Sequence, residues 1–416
     1  MRGFPQWPDH ESVLIRTGVR SGLPIFVAMH SSVLGPAAGG CRIWRYARWQ
    51  DGLEDALRLS AAMTAKFAAA GLARGGGKTV VAMPVGHVLT TAGKREILHD
   101  VADAIESLDG RYATGPDVGT SPQDMVVIGE LTRHVFCKPA EEGGSGDSSP
   151  ATAAGTVAAL RAVGAKLGGA QIGGAWLGDA QLSDAQIGGA QRSGARLGDA
   201  QLGDAQLGGA RPGGARLSDA QNGRAQLSGG GADPLHGLRL AVVGLGSVGA
   251  RIATLLSEAG ADLVLSDIDA GKKALADRLG ATWCADPREA LTADVDIVVP
   301  AALGGVLTEE IVPELRCRAV VGPANNQLAV AHVADALHER GIAWVPDYIA
   351  SAGGVIKAVS IELEACAEDE ALQRVLGIQD TVAGLLLSAE SRGVTLAAVA
   401  EELVRVRLGA AGAGTR

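Results

Sequence analysis

Aromatic residues are scarce in this chain: Phe, Trp and Tyr together make up 3% of its 416 residues. Its cores must therefore be built from Ala, Val, Leu and Ile. A C-x-x-C pair is also missing. The five cysteines, Cys41, Cys137, Cys284, Cys317 and Cys366, are odd in number and scattered, with no histidine at metal-ligand spacing. That argues against a disulfide framework and against a metal site. There is no Lys/Arg run, and the net charge is −9, so a nucleic-acid partner is not expected. No apolar stretch approaches the roughly 18 residues needed to span a bilayer. The opening residues reach Asp9 and Glu11 without an apolar leader core. These absences lead us to expect a reduced, cytoplasmic protein with no membrane partner.

Glycine is in excess, at 59 of 416 residues, or about 14% against the usual ~7%. A composition of 47% hydrophobic and 20% charged residues suits a globular chain, and the length is a prior for two or three domains. Composition shifts twice, giving mixed blocks at 1 to about 163 and 232–416 around a low-complexity block at 164–231. In the first block, Val13–Ile15, Pro24–Met29 and Thr79–Met83 read as strands. Leu53–Ala70, Lys94–Leu108 and Pro122–Leu131 read as helices, which makes an α/β domain.

In the middle block alanine recurs every fifth residue from Ala165 to Ala225, thirteen times in phase, with Leu or Ile two residues later in ten units. Arg192, Pro212 and Asn222 are the exceptions. A five-residue period fits neither a helix nor a strand, but it fits a solenoid with one unit per face. The unit resembles the pentapeptide-repeat family, a β-helix. The competing reading is a flexible Gly/Ala/Gln-rich insertion, which the three broken units and many glycines favour.

The third block opens with a βαβ signal. Leu238–Val243 is a buried strand, Gly244-Leu245-Gly246-Ser247-Val248-Gly249 follows at once, Ala250–Ala259 is a helix, and Asp262–Ser266 is the next strand, ended by Asp267. This is the context a dinucleotide fingerprint requires. Gly244 would allow the tight turn, Gly246 the approach of a pyrophosphate to the helix N-terminus, and Gly249 close helix–strand packing. A carboxylate at Asp267 would accept hydrogen bonds from the adenosine ribose and repel a 2′-phosphate, which favours NAD.

The segment Leu72-Ala73-Arg74-Gly75-Gly76-Gly77-Lys78-Thr79 ends like a P-loop. It has Leu72 where the first glycine belongs, however, and a strand rather than a helix follows. What remains is a lysine on a glycine-rich approach, at the start of a strand and partly desolvated. Desolvation lowers a lysine's pKa and suits acid–base work. Taken alone, Lys66 reads as a solvated helix residue and Asp117 as a turn residue.

Taken together, six segments in order carry more information: Gly35–Arg42, Met63–Lys66, Gly75–Lys78, Gly115–Thr120, Gly322–Gln327 and Pro346–Gly354. This set resembles the Glu/Leu/Phe/Val amino-acid dehydrogenase family, in its leucine/valine/phenylalanine branch, across nearly the whole chain outside 164–231. The resemblance implies that Lys66 grips the substrate α-carboxylate, that Lys78 is the catalytic lysine, and that Asp117 binds the amino group and moves protons. It further implies that the Gly39–Gly40 backbone closes on the substrate, that Thr152 touches the nicotinamide amide, and that Asn325 lies near the cofactor and the substrate amine. Ser247, Val248 and Ala301 join the three fingerprint glycines and Asp267 as cofactor-binding positions.

The implied organisation is a substrate-binding and oligomerisation domain at 1–145, a linking helix at 146–163, the insertion at 164–231, a Rossmann NAD-binding domain at 232–355, and C-terminal helices at 356–416 packing back across the hinge. A homo-oligomer is expected. The chain departs from the family pattern at Ala38, where Leu is common and a larger side-chain pocket follows if Ala38 lines it. It departs also at Ser351, where Asn is usual, and at Pro323 and Ala301. The expected activity is NAD-dependent oxidative deamination of an aliphatic or aromatic L-amino acid. The alternative is a catalytically weak homologue acting as a repeat-mediated scaffold.

Overall fold

Two β-sheets organise residues 9–169 and 232–413, the part of the chain that the computed structural model describes. The first sheet is built from β1 (Ser12–Thr17), β2 (Pro24–Ser31), β3 (Ala37–Tyr46), β4 (Gly75–Pro84) and β5 (Tyr112–Pro116), in the order β1-β2-β4-β3-β5. β3 runs parallel to β4 and β5, while β1 and β2 are antiparallel to their neighbours. Helix α1 (Trp49–Ala70) covers one face through Leu53, Ala56 and Leu57 against Phe26, Ala28, Val80 and Ala82. Helices α2 (Thr91–Glu106) and α3 (Pro122–Gly129) cover the other, placing Ile97, Val101, Ile105, Met125 and Ile128 against Ile25, Val27, Cys41, Ile43 and Val81. Alternate residues of each strand thus feed two separate cores.

Three segments that the sequence reading did not place in strands are strand here. β4 begins at Gly75, four residues before Thr79. Lys78 is therefore the fourth residue of a central strand rather than at its start, and it is 5% exposed. Glycines have poor strand propensity, but the packing around Gly75–Gly77 leaves room for nothing larger. A Cβ on Gly76 would meet the Thr64 amide at 2.1 Å, and one on Gly77 the Tyr112 ring at 2.5 Å. Tertiary fit overrides propensity. Glycine-rich Ala37–Gly40 and Tyr112–Pro116 are likewise strand, so the loop carrying Asp117 starts only at that residue.

Helix α4 (Ser149–Leu167) joins the two sheets. It is buried nearly all round by Ala151, Val157, Leu160 and Val163, as a core helix must be. It also runs four residues past Val163, so the first repeat alanine, Ala165, belongs to it. Beyond Gly169 the repeat segment lies outside the described residues, and with it both readings of that segment.

The second sheet consists of β6 (Arg239–Val243), β7 (Asp262–Ser266), β8 (Thr282–Cys284), β9 (Ile297–Pro300), β10 (Ala319–Val320) and β11 (Ala343–Trp344), all parallel. Their order is β11-β10-β9-β6-β7-β8, the doubly wound arrangement with its switch point between β6 and β9. Around it run α5 (Ser247–Glu258), α6 (Lys273–Leu279), α7 (Pro287–Leu291), α8 (Val333–Glu339) and α9 (Asp347–Ala350). The chain finishes with α10 (Gly353–Ala358), α11 (Glu368–Leu376), α12 (Ile378–Arg392) and α13 (Leu396–Ala413). α12 and α10 pack on α4, and α13 returns to α1. Among the described residues, no single helix is long and apolar enough to cross a membrane.

Candidate active site

Three neighbouring strands bring the charged groups together. β4 carries Lys78, β3 carries Gly40 and Arg42, and Asp117 follows β5, whose Pro116 pairs with Cys41. The turn from Asp117 to Thr120 is clamped to β3. The Thr120 hydroxyl donates to the Cys41 carbonyl at 2.8 Å, and the Asp117 amide donates to the Thr120 hydroxyl at 2.8 Å. Asp117 is thereby both a turn residue and an ion-pair partner: Lys78 Nζ lies 2.8 Å from its Oδ2. Arg42 Nε donates to the same oxygen at 2.9 Å.

Burial pushes the Lys78 ammonium below its usual range, with Asp117 opposing the shift and Arg42 adding to it. Burial also works to raise the Asp117 carboxyl, but Lys78 and Arg42 outweigh it and hold the group below the ordinary carboxylate range. The pair is therefore a strongly coupled acid and base in one enclosed place. Gly40 lies directly over it, since a Cβ there would meet Asp117 Cβ at 2.8 Å and Lys78 Nζ at 3.0 Å. Gly39 lies close to β4, where a Cβ would strike the Gly77 carbonyl oxygen at 1.7 Å. Ala38 has no solvent-exposed surface.

Lys66 comes from α1, near its C-terminal end. Its Nζ donates to Ser351 Oγ at 3.0 Å and to Asn325 Oδ1 at 3.3 Å, bridging the first sheet's helix to loops of the second sheet. Burial lowers its pKa and Lys78 adds to that, while Asp347 and Asp117 oppose it. The solvated-helix reading of Lys66 alone is thus replaced by a half-buried, hydrogen-bonded lysine. The position follows from α1 itself: Leu53, Ala56, Leu57, Ser60, Thr64 and Phe67 are buried on the helix, and Lys66 flanks that stripe.

The fingerprint loop fits a dinucleotide. Gly244 has φ 106°, and a Cβ there would meet Ala302 Cβ at 2.6 Å, so only glycine is accommodated. A Cβ on Gly249 would strike the Gly244 carbonyl oxygen at 1.9 Å. A Cβ on Gly246, by contrast, meets nothing within 4 Å, and α5 has no side-chain cap at that end. Open space beside uncapped helix N–H groups suits a pyrophosphate. Asp267, at the end of β7, accepts from the Leu245 amide at 2.6 Å and the Asp269 amide at 2.9 Å, so it braces the loop it was expected to complement. Ile268 and Leu303 follow the strands on either side of β6 and are 91% and 79% exposed.

The Ser247 hydroxyl at the start of α5 donates to Ser149 Oγ at the start of α4 at 2.9 Å, so the two helix N-termini meet. Thr152 lies in the first turn of α4 with its hydroxyl on the Ser148 carbonyl at 3.0 Å. Val248 is partly buried in the first turn of α5, and the Ala301 methyl lies against Gly249.

Comparison with known proteins agrees with this architecture. Residues 13–134 match the model of the Glu/Leu/Phe/Val dehydrogenase dimerisation domain, and residues 268–371 match the Glutamate/Leucine/Phenylalanine/Valine dehydrogenase model. A leucine dehydrogenase from Geobacillus stearothermophilus is 31% identical over 96% of this chain and 91% of its own length. A phenylalanine dehydrogenase from Caldalkalibacillus thermarum is 31% identical over 97% and 93%. The chain belongs to the Glu/Leu/Phe/Val dehydrogenase family. A crystal structure of L-tryptophan dehydrogenase from Nostoc punctiforme superimposes with a TM-score of 0.72 at 28% identity, covering 97% of both chains.

In this amino-acid dehydrogenase, Lys78, Asp117 and Gly40 form one cluster, and Lys66, Asn325 and Ser351 another that spans the two sheets. The reading of the sequence noted Ser351 as a departure without giving it a partner; its hydroxyl in fact meets Lys66. It assigned no role to Arg42 and overlooked Asp55 and Tyr46. Arg42 NH1 donates to Asp55 Oδ2 at 2.8 Å, and the Tyr46 hydroxyl donates to that oxygen at 2.7 Å. An arginine in a strand shows no pattern of its own, and its two carboxylate partners are 13 and 75 residues away.

Proposed function

We propose that this dehydrogenase catalyses the NAD-dependent oxidative deamination of an L-amino acid with an aliphatic or aromatic side chain, and the reverse reductive amination. The buried Lys78–Asp117 pair beneath Gly40 carries this reading. Lys66 would bind the substrate α-carboxylate as a direct charge pair, with Ser351 and Asn325 steadying its ammonium. Asp117 would hold the substrate amine and take its proton. The bound nicotinamide supplies the acceptor for the Cα hydride. Lys78, as the neutral amine that burial favours, would then take a proton from water as its oxygen attacks the iminium carbon. Asp117 would pass the proton it took from the substrate to the carbinolamine nitrogen and, as ammonia leaves and the carbonyl forms, accept the proton of the carbinolamine hydroxyl. The protons on Asp117 and Lys78 then return to solvent, leaving the 2-oxo acid.

Gly244, Gly246, Ser247, Val248 and Gly249 would hold the pyrophosphate. Asp267 would face the adenosine ribose, which disfavours a 2′-phosphate and supports NAD over NADP. Thr152, Ala301 and Asn325 are placed by this reading around the nicotinamide end. A substrate with a distal carboxylate is not favoured, because the Arg42 guanidinium is already committed to Asp117 and Asp55. The match of residues 13–134 to a dimerisation domain supports a homo-oligomer assembled through the first sheet's domain.

The test is NADH formation by the purified protein at mildly alkaline pH across a panel of L-amino acids. Turnover of branched-chain or aromatic substrates that disappears in Lys78→Ala supports the reading. Absence of turnover on every member, with NAD still bound, would sink it.

A further inference from the structure

We infer that Arg42 is a positioning residue that fixes Asp117 for its proton chemistry, anchored in turn by Asp55 and Tyr46. The inference rests on the dehydrogenase reading above and adds a group to which that reading gave no role. Arg42 lies on β3 beside Val80 of β4, two residues beyond Gly40 on one side and two beyond Lys78 on the other. From there its guanidinium bridges two carboxylates, with Nε on Asp117 Oδ2 at 2.9 Å and NH1 on Asp55 Oδ2 at 2.8 Å. Arg42 and Lys78 thus converge on the same Asp117 oxygen, Oδ2. Two cations on one oxygen fix the direction of the carboxylate that is to meet the substrate amine.

The chemistry explains why a second cation is needed. In the proposed cycle Lys78 alternates between ammonium and amine. A carboxylate whose sole partner was that lysine would lose its counter-charge and its fixed rotamer at every turnover. Arginine does not titrate in the working range, and its planar fork holds direction as well as charge. The anchor is equally fixed. Asp55 takes the Tyr46 hydroxyl and Arg42 on one oxygen and Arg58 on the other at 2.7 Å. Asp55 is also eleven residues before Lys66 on α1, three turns along the same face of the helix. One helix thus holds Lys66 directly and Asp117 through Arg42.

The charged groups around this centre are Lys78, Arg42 and Lys66 facing Asp117, with Asp117, Arg42, Lys66 and buried Cys41 facing Lys78. Asp117, Asp55 and Tyr46 face Arg42. Removing the arginine takes a positive charge away from both members of the pair. Asp117 then ionises less readily and Lys78 loses its proton less readily, so both pKa values move upward.

The experiment compares wild type with Arg42→Met, Arg42→Lys and Tyr46→Phe for kcat, KM, NAD affinity, melting temperature and the pH profile of kcat/KM for deamination. For Arg42→Met we expect kcat to fall by about a hundredfold with KM for the amino acid within about threefold. NAD affinity is expected to be unchanged, and the alkaline rise of kcat/KM displaced to higher pH. Arg42→Lys should recover part of kcat, because one ammonium keeps the charge but does not bridge both carboxylates. Tyr46→Phe should show a smaller loss of kcat with the same direction of pH displacement. A folded Arg42→Met enzyme with unchanged kcat, or with lower kcat and an undisplaced profile, overturns the assignment. If Arg42→Met does not fold, an unaltered profile in Arg42→Lys and Tyr46→Phe does so. A wild-type enzyme inactive on every amino acid is a distinct outcome, which removes the dehydrogenase reading and this inference with it.

Discussion

Ser351 Oγ accepts a hydrogen bond from Lys66 Nζ at 3.0 Å, a contact between residues 285 positions apart. It ties the lysine proposed to hold the substrate carboxylate to the loop before α10. A hydroxyl replaces the longer amide expected there, and its contact with the ammonium is direct.

Removing that hydroxyl in Ser351→Ala should weaken substrate binding by about 1 kcal/mol, or roughly fivefold in KM, with kcat changed much less. Ser351→Asn should keep KM closer to that of wild type. Steady-state kinetics on both variants check this, and equal KM values for wild type and Ser351→Ala would refute it.

The lowered Lys78 pKa has a kinetic sign. Deamination needs the neutral amine, so kcat/KM should climb as Lys78 loses its proton, at a pH below that of an ordinary lysine. Asp117, held low, stays ionised throughout that climb. Lys78→Arg keeps the charge but does not deprotonate, so both the rise and most of the rate should vanish. A pH series from roughly 6 to 11 on the two proteins decides the matter. A rise that survives in the variant would assign it to another group.

Two fingerprint glycines should fail in different ways. Gly246→Ala introduces a methyl into open space, so the melting temperature should hold while NAD affinity drops by about tenfold or more. Gly249→Ala drives a methyl to 1.9 Å from the Gly244 carbonyl oxygen. It should destabilise the fold by about 1–3 kcal/mol even without cofactor. Thermal melts paired with fluorescence titration of NADH separate the two effects, and loss of stability in Gly246→Ala would count against the assignment of that space to a ligand.

Arg407 of α13 donates to the carbonyl oxygens of Ala68 and Ala69, both at 2.7 Å, two and three residues beyond Lys66. A cation on the last carbonyls of a helix stabilises its C-terminus. Arg407→Met should lower stability by about 1–2 kcal/mol. It should also raise KM for the amino acid while leaving NAD affinity unchanged, because the end of α1 that carries Lys66 is loosened. A melting temperature that falls with KM constant would restrict Arg407 to stability alone.

Much of the second sheet was legible in advance, because its signals are local. The strand Asp262–Ser266 came out with the bounds its apolar run implied, and the fingerprint follows β6 and runs into the first turn of α5, which begins at Ser247, three residues before the expected Ala250. The first sheet was less legible. Gly75–Gly77, Ala37–Gly40 and Tyr112–Pro116 look like loop by composition, yet they are strands; a Cβ at Gly39, Gly75 or Gly76 would strike neighbouring backbone, and one at Gly77 or Gly115 an aromatic ring. Helix α4 likewise continued past its expected end, through residues whose pentapeptide phase suggested that a repeat had already begun.

By itself, the sequence determined which chemistry-bearing residues are present and in what order. It determined also that a glycine-rich turn must join a buried strand to a helix at Gly244–Gly249, because turn geometry and helix capping depend on residues a few positions apart. Only the tertiary structure decided how the charges meet. Arg42 and Lys78 lie on β3 and β4 and Asp117 just follows β5, three strands whose order in the sheet differs from their order in the chain, and Lys66 reaches Asn325 and Ser351 across more than half the sequence. Burial then sets what those groups can do, since the pKa of Lys78 depends on the water that folding removes and on the two partners that folding places beside it.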